Sequence, residues 1–155
     1  NRYVLLVAHT GRLEAVTAAV EAVDQLVTAG LIPVMPSEQL VQIEEFLKSR
    51  DTSIAFLDSV LELGVVVPEQ DLELVMVLGG DGTILKAAEI VRETATPLMG
   101  INLGHVGFLA ESEREGLSHA VARVVAKDYL VKERLTLDVR VLALLHRSFW
   151  VHLSL

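Results

Sequence analysis

The stretch LELVMVLGGDGTILKAAEI, residues 72–90, joins an apolar run to a helical pattern through a turn that holds three glycines and one aspartate. The run at 72–78 predicts a strand buried on both faces, and the residues from Thr83 to 93 predict a helix. A buried strand that passes through a glycine turn into a helix is typical of an α/β fold. This order of elements sets the fold class.

Similar patterns lie on both sides of this unit. Continuous apolar runs predict further strands at 3–8, 31–35 and 97–102, and VVVP at 65–68 is either a strand or an extended lead-in. A helix with Thr10 as N-cap and Gly30 as terminator is predicted from the periodic set Leu13, Val16, Val20, Val23 and Val27. Two short helices are predicted after a Ser37 cap, with a break at 50–52. A further helix is predicted at 113–125. The alternation predicts a Rossmann-like parallel sheet with helices on both faces.

The period changes near residue 130. In ERLTLDVRV, residues 133–141, apolar and polar residues alternate as in a strand with one solvated face. We therefore predict an α/β domain that carries the GGDGT turn over residues 1–130 and the start of a β-rich second domain over residues 131–155.

Composition excludes several classes of protein. The chain has 155 residues, 52% of them hydrophobic, a formal net charge of −8 and no cysteine. We expect one folded domain without disulfides or cysteine metal sites, no nucleic-acid partner, and no membrane partner because no apolar run reaches the length of a membrane helix. A cytoplasmic location is the default expectation.

The glycine turn predicts a site for an anion. Parallel strands place their carboxyl ends at one edge of the sheet, where the loops at 9–12, 79–83 and 102–107 are expected to meet. Gly79, Gly80 and Gly82 lack side chains, so they permit positive φ and the close approach of a ligand to peptide N–H groups. The positive end of the following helix favours phosphate, and Thr83 can cap that helix or offer its hydroxyl to the ligand.

Asp81 is the unusual member of the turn, because a carboxylate repels phosphate. Either it holds magnesium against the phosphates, or it is the general base that takes a proton from an attacking hydroxyl. Lys86 can direct a positive charge toward the same site. The plain alternative is a tight turn in which Asp-Gly serves only turn geometry. Neither G-x-x-x-x-G-K-[ST] nor G-x-G-x-x-G occurs, so a P-loop enzyme and an ordinary dinucleotide dehydrogenase are not supported.

A second loop, GINLGHVGFLAE at residues 100–111, repeats this pattern. Asn102 ends the predicted strand, and Phe108 either belongs to the core or stacks on a nucleobase at the ligand edge. His105 is either a solvated loop residue or a phosphate contact.

These two motifs resemble those of the bacterial NAD kinases. GGDGTILKAA, residues 79–88, fixes only a superfamily that includes diacylglycerol, sphingosine and 6-phosphofructokinases, and NLGHVGFLAE, residues 102–111, narrows it to NAD kinase. HTGR at 9–12 and ERLTLDV at 133–139 are similar to actinobacterial members. The resemblance covers residues 2–141 and is weakest across 36–70.

The resemblance implies transfer of the terminal phosphoryl group of ATP or inorganic polyphosphate to the 2′-hydroxyl of the adenosine ribose of NAD, giving NADP, with a divalent metal such as Mg²⁺. It implies Asp81 as catalytic base and Gly82 as a neighbouring NAD contact. The other implied binding residues are Gly79, Gly80 and Thr83 in the phosphate loop, Lys86 near the NAD phosphates, Phe108 at the adenine, Arg12 as a phosphate contact, and Asn102, which is either a contact or structural.

The family also implies a long β-rich domain that carries an Asn-Glu pair for NAD and most of a homo-oligomer interface, dimeric or tetrameric. The tail LALLHRSFWVHLSL, residues 142–155, lacks such a pair. We expect an N-terminal fragment of an NAD kinase, with the second domain largely absent and little activity alone. A lipid or sugar kinase of the same superfamily and a non-catalytic nucleotide-binding module are the alternatives.

Overall fold

The computed structural model describes residues 1–101, 116–134, 136–142 and 148–154. Five parallel strands form one sheet in the order β3-β2-β1-β4-β5. They are β1 (Tyr3–Ala8), β2 (Ile32–Met35), β3 (Leu61–Glu62), β4 (Leu72–Leu78) and β5 (Leu98–Ile101). The direction of winding reverses between β1 and β4, as in doubly wound nucleotide-binding sheets. The predicted Rossmann-like α/β fold is confirmed.

Helices cover both faces of this sheet. They are α1 (Leu13–Thr28), α2 (Ser37–Lys48), α3 (Asp81–Ile90) and α4 (Leu117–Ala126). Buried residues of α1, α2 and α4 pack with Val4 and Leu6 of β1 on one face. Ala87 of α3 packs with Leu5 and Val7 on the other face. The period-2 alternation of β1 thus supplies two apolar surfaces from one continuous run. Among the described residues, no helix has the length and apolar character needed to cross a membrane.

Helix α1 buries the middle of the predicted stripe but not its ends. Val16 and Val23 are buried and Val20 packs against the core, whereas Leu13 and Val27 are 50% and 43% exposed. The other buried residues of the helix are mostly alanines, namely Ala15, Ala18, Ala19 and Ala22, with Leu26. The helix packs in one core with the sheet and with α4. Small side chains suit a helix enclosed in this way, and a pattern that weighs only large hydrophobic residues misses them.

Two predicted helix caps are wrong. The N-cap of α1 is Arg12, and the N-cap of α2 is Pro36, so Ser37 is already inside its helix. Gly30 does end α1, with a φ of 76°.

The segment between α2 and β4 is less helical than predicted. Residues Ala55–Ser59 form one 3-10 turn, and Leu61 belongs to β3. Val65 and Val66 are exposed in a turn, so VVVP is a lead-in and not a strand of the sheet. Pro33 lies within β2 and pairs with Val4 of β1. It has no partner in β3, because the pairing of β2 with β3 begins at Val34. The missing N–H of proline is tolerated at such a position, as it is in an edge strand.

An ion-pair cluster fixes the amino ends of the strands. The Arg2 guanidinium donates to both carboxylate oxygens of Glu73, from Nε at 2.8 Å and from Nη2 at 2.6 Å. It also donates to the carbonyl oxygens of Val124 and Val125 in the last turn of α4. The hydrogen bond from Arg2 lowers the pKa of Glu73, and desolvation raises the pKa of the neighbouring Tyr129. One cation therefore joins β1, β4 and α4.

After α4 the backbone forms an antiparallel hairpin of β6 (Thr136–Leu142) and β7 (Ser148–Ser154). These strands make a sheet of their own and do not extend the five-stranded sheet. The strand predicted at 133–141 is confirmed in its main part. The division into domains at residue 130 stays a prediction.

Candidate functional site

A cavity of about 630 Å³ lies at the carboxyl ends of β1, β2 and β4. Its lining residues are Val7, Ala8, His9, Thr10, Arg12, Pro36, Glu38, Gln39, Gln42, Gly80, Asp81, Gly82, Thr83, Lys86 and Ile90. The cavity brings the loops at 9–12 and 79–83 together at the switch point, where ligands of such sheets bind. Of the predicted site residues it gathers Arg12, Gly80, Asp81, Gly82, Thr83 and Lys86. Asn102, His105 and Phe108 lie outside the described residues.

Three helices begin at this cavity. Arg12, Pro36 and Gly80, the N-cap residues of α1, α2 and α3, all line it. Within the described part of the chain, no cap side chain bonds the first N–H groups of these helices. The positive ends of three helix dipoles therefore lie at one cavity. This field favours a ligand with several negative charges.

Gly79 has a packing role and not a lining role. It is buried, and a Cβ built on it would stand 2.5 Å from Oγ1 and 3.0 Å from Cβ of Thr83. Thr83 itself is only 6% exposed. A side chain at position 79 would have to displace Thr83 from the first turn of α3. The absence of a side chain at Gly79 thus allows the end of β4 to pack against the first turn of α3.

Gly80 and Gly82 have no such neighbour, since a Cβ on either would meet no atom within 4 Å. Nor do they use left-handed backbone, because the described glycines with positive φ are Gly30 and Gly64. The turn therefore does not use the positive φ that its glycines permit. Among the described residues, no contact excludes a side chain at these two positions.

Asp81 and Lys86 both belong to α3. The helix begins at Asp81, two positions before the predicted start at Thr83, and Asp81 is half-buried in its first turn. The helix dipole stabilises a carboxylate there. Lys86 is exposed and lines the same cavity. One helix thus brings a possible proton acceptor and a cation to one site.

Sequence reasoning did not identify Gln39, which forms part of the cavity floor. Its side chain is 6% exposed, accepts a hydrogen bond from the Ala8 N–H at 2.8 Å and donates to the Leu6 carbonyl at 3.2 Å. Strand β2 pairs with β1 only as far as Leu5. Gln39 therefore replaces the missing strand partner at the end of β1. The signal for this residue was weak, because a glutamine in a helix is ordinarily exposed.

Thr10 and Gln42 were also missed as site residues. The Thr10 hydroxyl lies 2.6 Å from Oε1 of Gln42, and Nε2 of Gln42 donates to Glu38 at 2.9 Å. All three line the cavity. We call this hydrogen-bonded trio of Thr10, Gln42 and Glu38 the α2 wall.

Acidic and histidine side chains do not cluster at the site as they do in a protein-only metal centre. In the described ranges no group of three or more His, Cys, Asp or Glu side chains could hold a metal ion. Mg²⁺ commonly binds through one or two carboxylates, water and substrate phosphates. The single carboxylate of Asp81 beside an anion-binding cavity fits that second mode.

The sequence matches the family model for the ATP-NAD kinase N-terminal domain over residues 4–129. The chain belongs to this family. The match contains the five-stranded sheet except Tyr3, and every described residue of the cavity.

Curated relatives of this family member are actinobacterial. The chain is 53% identical over 141 residues to an NAD kinase of Leifsonia xyli, a match that covers 91% of the chain and 44% of the relative. It is 46% identical over 145 residues to an NAD kinase of Thermobifida fusca, covering 91% of the chain and 41% of the relative. The chain therefore spans less than half the length of these relatives.

Among solved structures, yeast NADH kinase complexed with NADH matches with a TM-score of 0.71 and 20% identity. The match covers 97% of the chain and 46% of the yeast chain. At this identity the likeness concerns the fold alone.

Proposed function

We propose that this chain is the phosphate-binding and base-bearing part of an NAD kinase. The proposed reaction transfers the terminal phosphoryl group of ATP, or of polyphosphate, to the 2′-hydroxyl of the adenosine ribose of NAD. The observation that carries the proposal is the place of Asp81, in the wall of a cavity where three helices begin, in a member of the ATP-NAD kinase family.

In this proposal Asp81 is the general base. Its carboxylate takes the proton of the 2′-hydroxyl while that oxygen bonds to the terminal phosphorus and the bridging P–O bond breaks. Arg12, Lys86 and the N–H groups at the start of α3 hold the phosphates, and Gly80 and Gly82 leave room for them. A bound divalent metal such as Mg²⁺ would neutralise part of the phosphate charge, and Asp81 is the residue that would contact it. Asn102 and Phe108 complete the proposed nucleotide contacts.

The test is a chimera that joins residues 1–142 to the matching remainder of the Leifsonia xyli enzyme. We expect NADP formation, and in Asp81→Asn a loss in kcat of about 10²- to 10⁴-fold because the proton acceptor is gone. Glu89→Gln is the matched control, since it makes the same chemical change at an exposed position of α3 outside the cavity.

An Asp81→Asn chimera with the kcat of the parent would refute the role of Asp81. The 155-residue chain alone is expected to bind nucleotide weakly and to turn over little or not at all. Robust NADP formation by that chain would contradict this part of the proposal.

Self-association is the proposed state of the chain, as part of a homo-oligomer. Leu130 and Val131, which follow α4, are 91% and 61% exposed. Further apolar residues follow at 141–145 and 149–155. Exposed apolar residues such as Leu130 and Val131 favour contact between chains. Light scattering tests this, and a clean monomer at high concentration would count against it.

A further inference from the structure

The hydrogen bonds of the α2 wall fix the orientation of the Gln42 amide and of the Thr10 hydroxyl. Gln42 lies between Thr10 at 2.6 Å and Glu38 at 2.9 Å. An ionised carboxylate accepts hydrogen bonds and cannot donate them, so the amide NH₂ of Gln42 must face Glu38. The amide oxygen then faces Thr10, whose single hydroxyl proton is donated to it.

Thr10 is left with only acceptor capacity toward the cavity. Its proton is committed to Gln42, while a hydroxyl oxygen has two lone pairs. The second carboxylate oxygen of Glu38, on the exposed side of the wall, is also an acceptor. The α2 wall therefore offers acceptors on Thr10 and Glu38, together with the second N–H of the Gln42 amide as a donor.

Two cationic side chains also line the cavity. Lys86 on α3 and Arg12 at the start of α1 are donors without acceptor capacity. Phosphate oxygens fit these donors, and a group with O–H or N–H bonds fits the acceptors of Thr10 and Glu38.

We propose that Thr10 and Glu38, oriented through Gln42, bind the hydrogen-bond donors of a nucleoside, namely ribose hydroxyls or an exocyclic amine. This inference rests on the proposed function, because it places a nucleoside beside the phosphates in the same cavity. The nucleoside belongs either to the phosphoryl donor or to NAD. Inorganic polyphosphate has neither group, so it gains nothing from the acceptors of Thr10 and Glu38, and the Glu38 carboxylate repels it.

The experiment is a ligand-observed NMR titration of the full chain with ATP, NAD and tripolyphosphate, each with magnesium in excess. Thr10→Val keeps the shape of the side chain and removes the acceptor. We expect it to weaken ATP or NAD binding about two- to tenfold, the effect of one hydrogen bond, and to leave tripolyphosphate binding unchanged. The nucleotide that loses affinity identifies the nucleoside at the wall.

Two variants separate recognition from folding. Thr10→Ser keeps the hydroxyl and should bind like the parent chain. Glu38→Gln, at an exposed position, should weaken the same nucleotide and should not weaken tripolyphosphate, because it removes the carboxylate that orients Gln42. Ser118→Ala is the matched control, since Ser118 also bonds a glutamine, Gln25 at 3.0 Å, but does not line the cavity.

Unchanged ATP and NAD binding in Thr10→Val, or an equal loss for tripolyphosphate, would overturn the inference while the proposed function stood. A parent chain that binds none of the three ligands would refute both.

Discussion

A Cβ on Gly79, the residue that follows β4, would stand 2.5 Å from the hydroxyl oxygen of Thr83 in the first turn of α3. A side chain at position 79 and the Thr83 side chain would therefore occupy the same space. Gly79→Ala is expected to lower the free energy of unfolding by about 1–3 kcal/mol, the usual cost of overpacking. Urea denaturation measures it. Adding Thr83→Ala should recover part of the loss, because the hydroxyl and methyl that cause the clash are gone. Strictly additive losses in the double variant would show that the two residues do not compete for this space.

Gly82→Ala is predicted to change stability in the opposite direction. Nothing lies within 4 Å of a Cβ at this position, and Gly82 is in the first turn of α3. Alanine should therefore raise the free energy of unfolding by up to about 1 kcal/mol through helix propensity. The same methyl group should weaken nucleotide binding, measured by titration with ATP and NAD. Unchanged affinity for both would argue against close approach of a ligand at this glycine.

Gln39→Met tests the side chain that completes the edge of β1. Methionine has a similar length but leaves the buried Ala8 N–H without its acceptor at 2.8 Å. We expect a loss of about 1–3 kcal/mol in the free energy of unfolding, the cost of an unsatisfied buried donor. Gln70→Met, at an exposed position, is the control and should stay within about 0.5 kcal/mol of the parent. Equal stability of the two variants would contradict the structural role of Gln39.

The Arg2–Glu73 pair predicts a pH dependence of stability. The hydrogen bond from Arg2 lowers the pKa of Glu73 below its unfolded value, so the stabilising effect is full above the unfolded pKa. It is lost as the pH falls through the folded pKa. Glu73→Gln should be less stable than the parent by about 1–3 kcal/mol at neutral pH, given a charge-assisted pair with 18% exposure of the Glu73 side chain.

The difference between Glu73→Gln and the parent should shrink as the pH falls through the acid range, which urea unfolding at a series of pH values measures. Glu44→Gln provides the comparison, because Glu44 forms an exposed i,i+4 pair with Lys48 and should show little difference at any pH. A Glu73→Gln difference that stays constant with pH would contradict the assignment.

The sheet could be predicted well because buried parallel strands are short apolar runs with clear ends. Strand β4 occupies the predicted residues 72–78, and β5 lies inside the predicted 97–102. The location of the site also follows from topology, since all parallel strands end at one edge. Hence Asp81 and Arg12, far apart in sequence, could be expected to meet.

Contacts between elements could not be read in the same way. The alanines of α1 are buried by two neighbours, and alanine carries little hydrophobic signal. The segment Ile54 to Leu61 has helical spacing, but Leu61 pairs with Val34 of β2 and so becomes a strand residue. Gln39 accepts the hydrogen bond of the Ala8 N–H because the pairing of β2 with β1 stops at Leu5, and no local sequence pattern shows this. The contributions of Asn102 and Phe108 stay predictions.

The two hydrogen bonds of Gln39 have a consequence for how the cavity adapts to an occupant. Helix α2 is held to β1 through Gln39 and through its buried Ile43 and Leu47, so it cannot move outward without breaking two hydrogen bonds and exposing its apolar face. The loop at 9–12 is held as well, because the His9 N–H donates to the Leu78 carbonyl at 3.1 Å and the Thr10 hydroxyl donates to Gln42 at 2.6 Å. A ligand would therefore meet a largely preorganised cavity, and the conformational entropy lost on binding would come mainly from the exposed side chains of Arg12 and Lys86.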